Sequence, residues 1–207
     1  MIPKRCFRMI LSTKILPDGY RQTSEINLAK NKGLAILLSV VGVILLVFSL
    51  ILLGLFLRWA RPELTTGAFT FTLDLLKITG LFAAVILIMG LHEFIHGFFF
   101  WMFTRSKPVF ALRPLYAYAA APEWFIPASR YWIIGLAPLV LISLVGLLFT
   151  SAAPAGWIPL SVFLTALNIA GSVGDMFIVA RLLRLLPGSL VKDAGDTVSF
   201  FEPTKSA

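Results

Sequence analysis

Residues 33 to 57 contain no charged side chain. As a helix rising about 1.5 Å per residue, such a run reaches roughly 37 Å, enough to cross the hydrocarbon core of a bilayer with some tilt. In lipid, every backbone polar group must be satisfied within the protein, so a chain with runs of this kind is confined to helix bundles or closed barrels. Apolar runs at 78–104, 131–153 and 157–180 repeat the pattern, Pro138 marking a kink inside the third. Composition agrees: 58% of residues are hydrophobic, 14% are charged, and the mean hydropathy is +0.90. The expected fold is an all-α membrane protein, a four-span transmembrane helix bundle.

Between the second and third spans the pattern changes. Residues 105–130 are aromatic and β-prone but interrupted by Pro108, Pro114, Pro122 and Pro127, which excludes a spanning helix and predicts short extended strands at the membrane surface. The ends are basic: residues 1–32 read as a cytosolic tail with a turn at Pro17-Asp18-Gly19, and residues 187–207 as a cytosolic C-terminal tail. Residues 33–186 form the transmembrane domain. With both termini inside, the cytosolic segments carry 15 basic residues against three outside (Arg58, Arg61 and Lys77), which places the β-prone segment on the cytosolic side. The net charge of +8 therefore records orientation in a lipid bilayer and gives no sign of a nucleic-acid partner. A lone cysteine, Cys6, excludes an internal disulfide and a cysteine-rich metal site.

Only two histidines occur, His92 and His96, in the stretch Leu91-His92-Glu93-Phe94-Ile95-His96-Gly97 of the second apolar run. Four residues apart on a helix, both imidazoles reach one metal ion while Glu93 sits beside them to act on water. Ionisable groups at membrane depth are costly, and a cluster of them is a functional hypothesis by default. A catalytic zinc usually takes three protein ligands, and the carboxylate available at that depth is Asp175 in the fourth run. Phe94 lies eleven residues before Arg105 and Asp175 nine before Arg184, roughly 16 and 14 Å of helix from the cytosolic face. Asn168 falls on about the same helical face as Asp175, placed to orient it or to bind a substrate carbonyl. Asp193 and Asp196 read as turn-capping residues of the tail. An exposed edge within 109–126 could take an extended substrate as an added strand.

His92-Glu93-Phe94-Ile95-His96, with Asn168 and Gly174-Asp175 in a later span, resembles the site-2 protease class of intramembrane zinc metalloproteases. More closely the chain resembles a bacterial zincin peptidase family, through Pro17-Asp18-Gly19-Tyr20, the histidine motif, Ala137-Pro138, Ala170-Gly171-Ser172-Val173-Gly174-Asp175 and Asp193-Ala194-Gly195-Asp196. These features cover about residues 15 to 200. The resemblance implies a bacterial cytoplasmic membrane and a bound Zn2+, with His92, His96 and Asp175 as ligands and Glu93 as catalytic base. The better-known site-2 enzymes carry prolines before the aspartate and a glycine after it, where this chain has Gly171, Gly174 and Met176. The function expected is hydrolysis of a peptide bond in a transmembrane or membrane-proximal substrate. The alternatives are a metal-binding membrane protein without peptidase activity and an ion or proton pathway.

Overall fold

The structure is a computed structural model that describes residues 11–64, 74–112 and 117–204. Cys6, residues 65–73 of the loop expected after the first span, and Arg113-Pro114 with Tyr116 lie outside the described residues. The elements run in the order β1 (Tyr20–Asn27), α1 (Lys32–Ala60), α2 (Leu75–Thr104), β2 (Val109–Leu112), β3 (Ala117–Ala120), β4 (Ile126–Pro127), α3 (Ala128–Ala152), α4 (Ile158–Gly171), α5 (Val173–Leu182), β5 (Leu190–Asp193) and β6 (Thr197–Pro203). α1, α2 and α3 are each long and apolar enough to cross a membrane. Their large apolar side chains also point outward, as Ile36, Val47, Phe82 and Val145 do, a surface that water does not tolerate over such an area.

Side-chain caps start the first two helices. The Asn31 carboxamide accepts from the Leu34 amide and the Asp74 carboxylate from the Lys77 amide, each satisfying an orphan donor of the first turn. α2 ends where Arg105 turns into the left-handed region, at φ 55°. At the opposite end of the helices from the strands, Arg61 donates to the carbonyls of Ser151 and Ala153 and so ties the end of α1 to the end of α3.

The fourth apolar run is broken where one continuous helix was expected. The Ser172 amide and hydroxyl both bond to the Asn168 carbonyl, at 3.0 and 2.8 Å, and the chain restarts as α5 at a bend of 41°. Back-bonding by a serine that follows a glycine competes with the helix ladder and re-aims the next turn. Asp175 thereby lands in the first turn of α5, where free amide groups favour a carboxylate.

Within both segments expected as cytosolic tails, 1–32 and 187–207, described residues form strands. The turn at Asp18-Gly19 forms, with Gly19 at φ 78°, but the chain then enters a four-stranded antiparallel sheet ordered β1-β6-β5-β4. Tyr20 pairs with Pro203 and Asn27 with Thr197, so the two ends of the chain share a ladder. The strands form because Phe200, Val191 and Ile126 bury completely between the sheet and the helices while Leu190 buries on the other face against Phe125 and Phe201, each large side chain contributing roughly 1.5–3 kcal/mol. The β-prone segment between α2 and α3 does form strands: β2 and β3 make a separate antiparallel pair with Phe110 opposite Ala119, and β4 joins the larger sheet.

Candidate metal centre

His92 and His96 lie one turn apart on α2, their rings edge to face with centroids 4.9 Å apart. His92 Nε2 is 3.1 Å and His96 Nε2 3.4 Å from Asp175 Oδ2, and the two Nε2 atoms are 3.2 Å from each other. Three potential ligand atoms from two helices therefore converge on one point.

The opposite edge of each ring fixes what those atoms present. His96 Nδ1 is 2.9 Å from the carbonyl oxygen of Ile134, a group that can only accept, so Nδ1 carries the proton. Asn168 Nδ2 faces the Pro138 carbonyl at 3.4 Å and Ser143 Oγ at 3.3 Å, which turns its Oδ1 toward His92 Nδ1 at 3.0 Å. His92 Nδ1 is thus also the donor. With both Nδ1 positions protonated, the neutral rings direct two nitrogen lone pairs at a carboxylate oxygen, a trio with no donor among them. Such a cluster repels itself unless a metal ion or an added proton sits among the three atoms. A four-coordinate zinc with bonds of about 2.0–2.1 Å sets its donors roughly 3.3 Å apart, which the observed separations of 3.1, 3.2 and 3.4 Å match. The residues present fit the metal.

Glu93, the next residue on α2, accepts at Oε2 from the backbone amide of Ala119 on β3, at 2.8 Å. That single bond holds the carboxylate beside the histidines and leaves Oε1 for another partner. β2 is tied to the same helix by Phe110, whose ring lies where a β-carbon on Gly97 would be, 2.2 Å from its Cζ. A cavity of about 220 Å³ opens on the cluster, lined among others by His92, Glu93, His96, Asp175, Tyr131 and Asp193.

Asn168, expected to meet substrate or Asp175, instead spends its carboxamide on His92, Pro138 and Ser143 and is buried. In this arrangement both ends of its amide are engaged, and the carboxamide holds the His92 imidazole. Asp193 accepts from the Gly195 amide, the turn-capping role expected of it, at 2.8 Å. It is not an exposed tail residue, however. It is buried and takes the hydroxyl proton of Tyr131 in a short hydrogen bond. Burial lifts its carboxyl to about 6, against the opposing pull of the Tyr131 hydroxyl and the Gly195 amide. Sequence reasoning missed the Ile134 carbonyl, the Ala119 amide and Tyr131. The first two are backbone groups with no side-chain signature, and Tyr131 differs in no way from other interfacial tyrosines until the sheet folds over it.

Comparison with known families gives one match: the model of a family described as "Putative zincin peptidase" covers residues 85–190. That range contains the histidine motif, Asn168 and Asp175, and zincins are zinc peptidases by definition. No curated protein and no solved structure matches the chain.

Proposed function

The chain belongs to the family of putative zincin peptidases, and from that membership we propose that it is an intramembrane zinc metalloprotease that hydrolyses a peptide bond in a transmembrane or membrane-proximal substrate. The observation that carries the reading is the convergence of His92 Nε2, His96 Nε2 and Asp175 Oδ2 with Glu93 beside them. Bound there, zinc would polarise the substrate carbonyl and make water acidic enough to attack near neutral pH. Glu93 takes a proton from that water through its free carboxylate oxygen as the new C–O bond forms. It returns the proton to the amide nitrogen as the C–N bond breaks, so one water is consumed per bond cleaved. Asn168 and the Ile134 carbonyl hold the two imidazoles in the tautomer that ligation requires.

The same reading gives the chain four membrane crossings, with the sheet and both termini on the cytosolic side. The bent α4–α5 pair is long and apolar enough to count as the fourth span. An extended peptide fits the site because β3 lines the cavity and, among the described residues, pairs with β2 alone; a peptide would add as a strand along the edge where Ala119 meets Glu93.

The test is a comparison of purified wild-type, Glu93→Gln, His92→Ala and Asp175→Ala proteins. Glu93→Gln should bind zinc stoichiometrically and cleave nothing, while the two ligand variants lose zinc. Turnover that survives in Glu93→Gln would sink the hydrolytic reading. Full zinc occupancy in the wild type, without cleavage of any co-expressed membrane protein, would favour a metal-binding sensor or assembly partner on the same fold.

A further inference from the structure

The cavity that opens on the metal centre holds a second polar pair, Tyr131 at the start of α3 and Asp193 at the end of β5. Both are almost fully buried, at 6% and 7% exposure. Asp193 receives the Tyr131 hydroxyl on one oxygen and the Gly195 amide on the other. A link between helix and sheet alone would be made more cheaply by apolar side chains, since a buried carboxylate carries a desolvation cost. The pair also stands apart from the ligand set, and Glu93 has its own hydrogen bond to Ala119.

Its chemistry is one-sided. The phenol gives its only proton to Asp193, so toward the cavity its oxygen offers lone pairs alone. Donation into a carboxylate also makes that oxygen a stronger acceptor. The partner suited to such a group is an N–H. In amide hydrolysis the substrate atom that carries an N–H, and gathers positive charge as the C–N bond breaks, is the scissile nitrogen. The phenol is also fixed relative to the metal centre. Its ring packs edge to face on Phe100, centroids 6.2 Å apart and one turn beyond His96, and one turn along α3 from Tyr131 the Ile134 carbonyl holds His96.

We propose that Tyr131 is a further catalytic residue, accepting the N–H of the scissile nitrogen as it becomes the leaving amine, and that Asp193 is the positioning residue that aims and polarises its hydroxyl. The inference rests on the hydrolytic reading above. It extends that reading to the amine side of the cleaved bond, so the products are told apart by their free amino group.

The test uses the full-length, zinc-loaded protein in detergent. L-leucinamide serves as an amine-product probe, and reduced, carboxymethylated lactalbumin as an unfolded substrate. Tyr131→Phe should keep its zinc, bind leucinamide roughly tenfold more weakly in a thermal-shift titration, and lose roughly 10- to 100-fold in kcat with little change in KM. Should Tyr131→Phe fail to fold, Asp193→Asn, which keeps an oxygen for the Gly195 amide, should show the same weakening of leucinamide binding. A merely structural pair would lower the melting temperature and leave leucinamide affinity untouched. Leucinamide binding that is absent in the wild type, or equal in the wild type and the folded variant, overturns the proposal. Glu93→Gln separates the two levels: its inactivity together with unaltered Tyr131→Phe removes only the role of Tyr131, whereas an active Glu93→Gln removes both.

Discussion

Asn168 stands behind His92 and acts on the site through it, because its Oδ1 fixes which nitrogen of His92 carries the proton. Removing the carboxamide lets the ring rotate and exchange tautomers, so that Nε2 no longer points a lone pair at the shared centre. Asn168→Ala is therefore expected to weaken zinc affinity by roughly 10- to 100-fold while the helices stay folded. Competition with a chromogenic chelator measures this directly, and unaltered affinity would remove Asn168 from the centre. His92, His96 and Glu93 were legible in the sequence because helix geometry alone converts their spacing into a shared face. Asp175 was legible through charge and depth. The role of Asn168 was not, since helical periodicity gives the face a residue occupies but cannot say that Pro138 and Ser143 will claim the other end of its amide.

The β2–β3 pair stands on α2 through two contacts close together, the Ala119 amide on Glu93 and the Phe110 ring over Gly97. Gly97 follows His96 directly, and a β-carbon there would sit 2.2 Å from Phe110 Cζ, too close to tolerate. Gly97→Ala should push β2 off the helix, loosen the Ala119–Glu93 bond with it, and cost roughly 1–3 kcal/mol in stability together with most of the activity. Trimming the ring in Gly97→Ala/Phe110→Leu should restore much of both. Melting temperature and turnover across the two variants check this, and a single variant as active as wild type would show that β3 does not position Glu93. Three of the four strands in the larger sheet, β1, β5 and β6, escaped the sequence reading for a reason of scale. Each carries only a few apolar residues, and the β1–β6 ladder joins Tyr20 to Pro203. Nothing within a local window records a pairing over that distance, whereas a span carries its whole signal within itself. Hydropathy runs α4 and α5 together as one span because it is blind to a serine hydroxyl turning back on the Asn168 carbonyl.

The sheet also constrains how the whole molecule can lie in a membrane. β1 precedes α1, β4 follows α2 and precedes α3, and β5 and β6 follow α5, yet all four strands hydrogen-bond in one sheet and must share one side. If α1, α2 and α3 cross a bilayer, as their length and hydropathy allow, α1 and α2 would lead out and back and α3 out again. The chain would then return to pair β5 with β4 through a fourth crossing by α4 and α5 together. The Arg61 bonds to Ser151 and Ala153 gather the far ends of α1 and α3 at the opposite pole. The shared sheet agrees with the arrangement that the distribution of lysine and arginine favours. With Cys6 replaced by serine, single cysteines at Glu63 and Gly156 should react with a membrane-impermeant maleimide in intact cells, and cysteines at Arg21 and Glu123 only after permeabilisation. Equal labelling of Arg21→Cys and Gly156→Cys in intact cells would mean that α4 and α5 do not cross. The sheet could not then form around a membrane-embedded α3, and the metal centre would have to be placed without a bilayer.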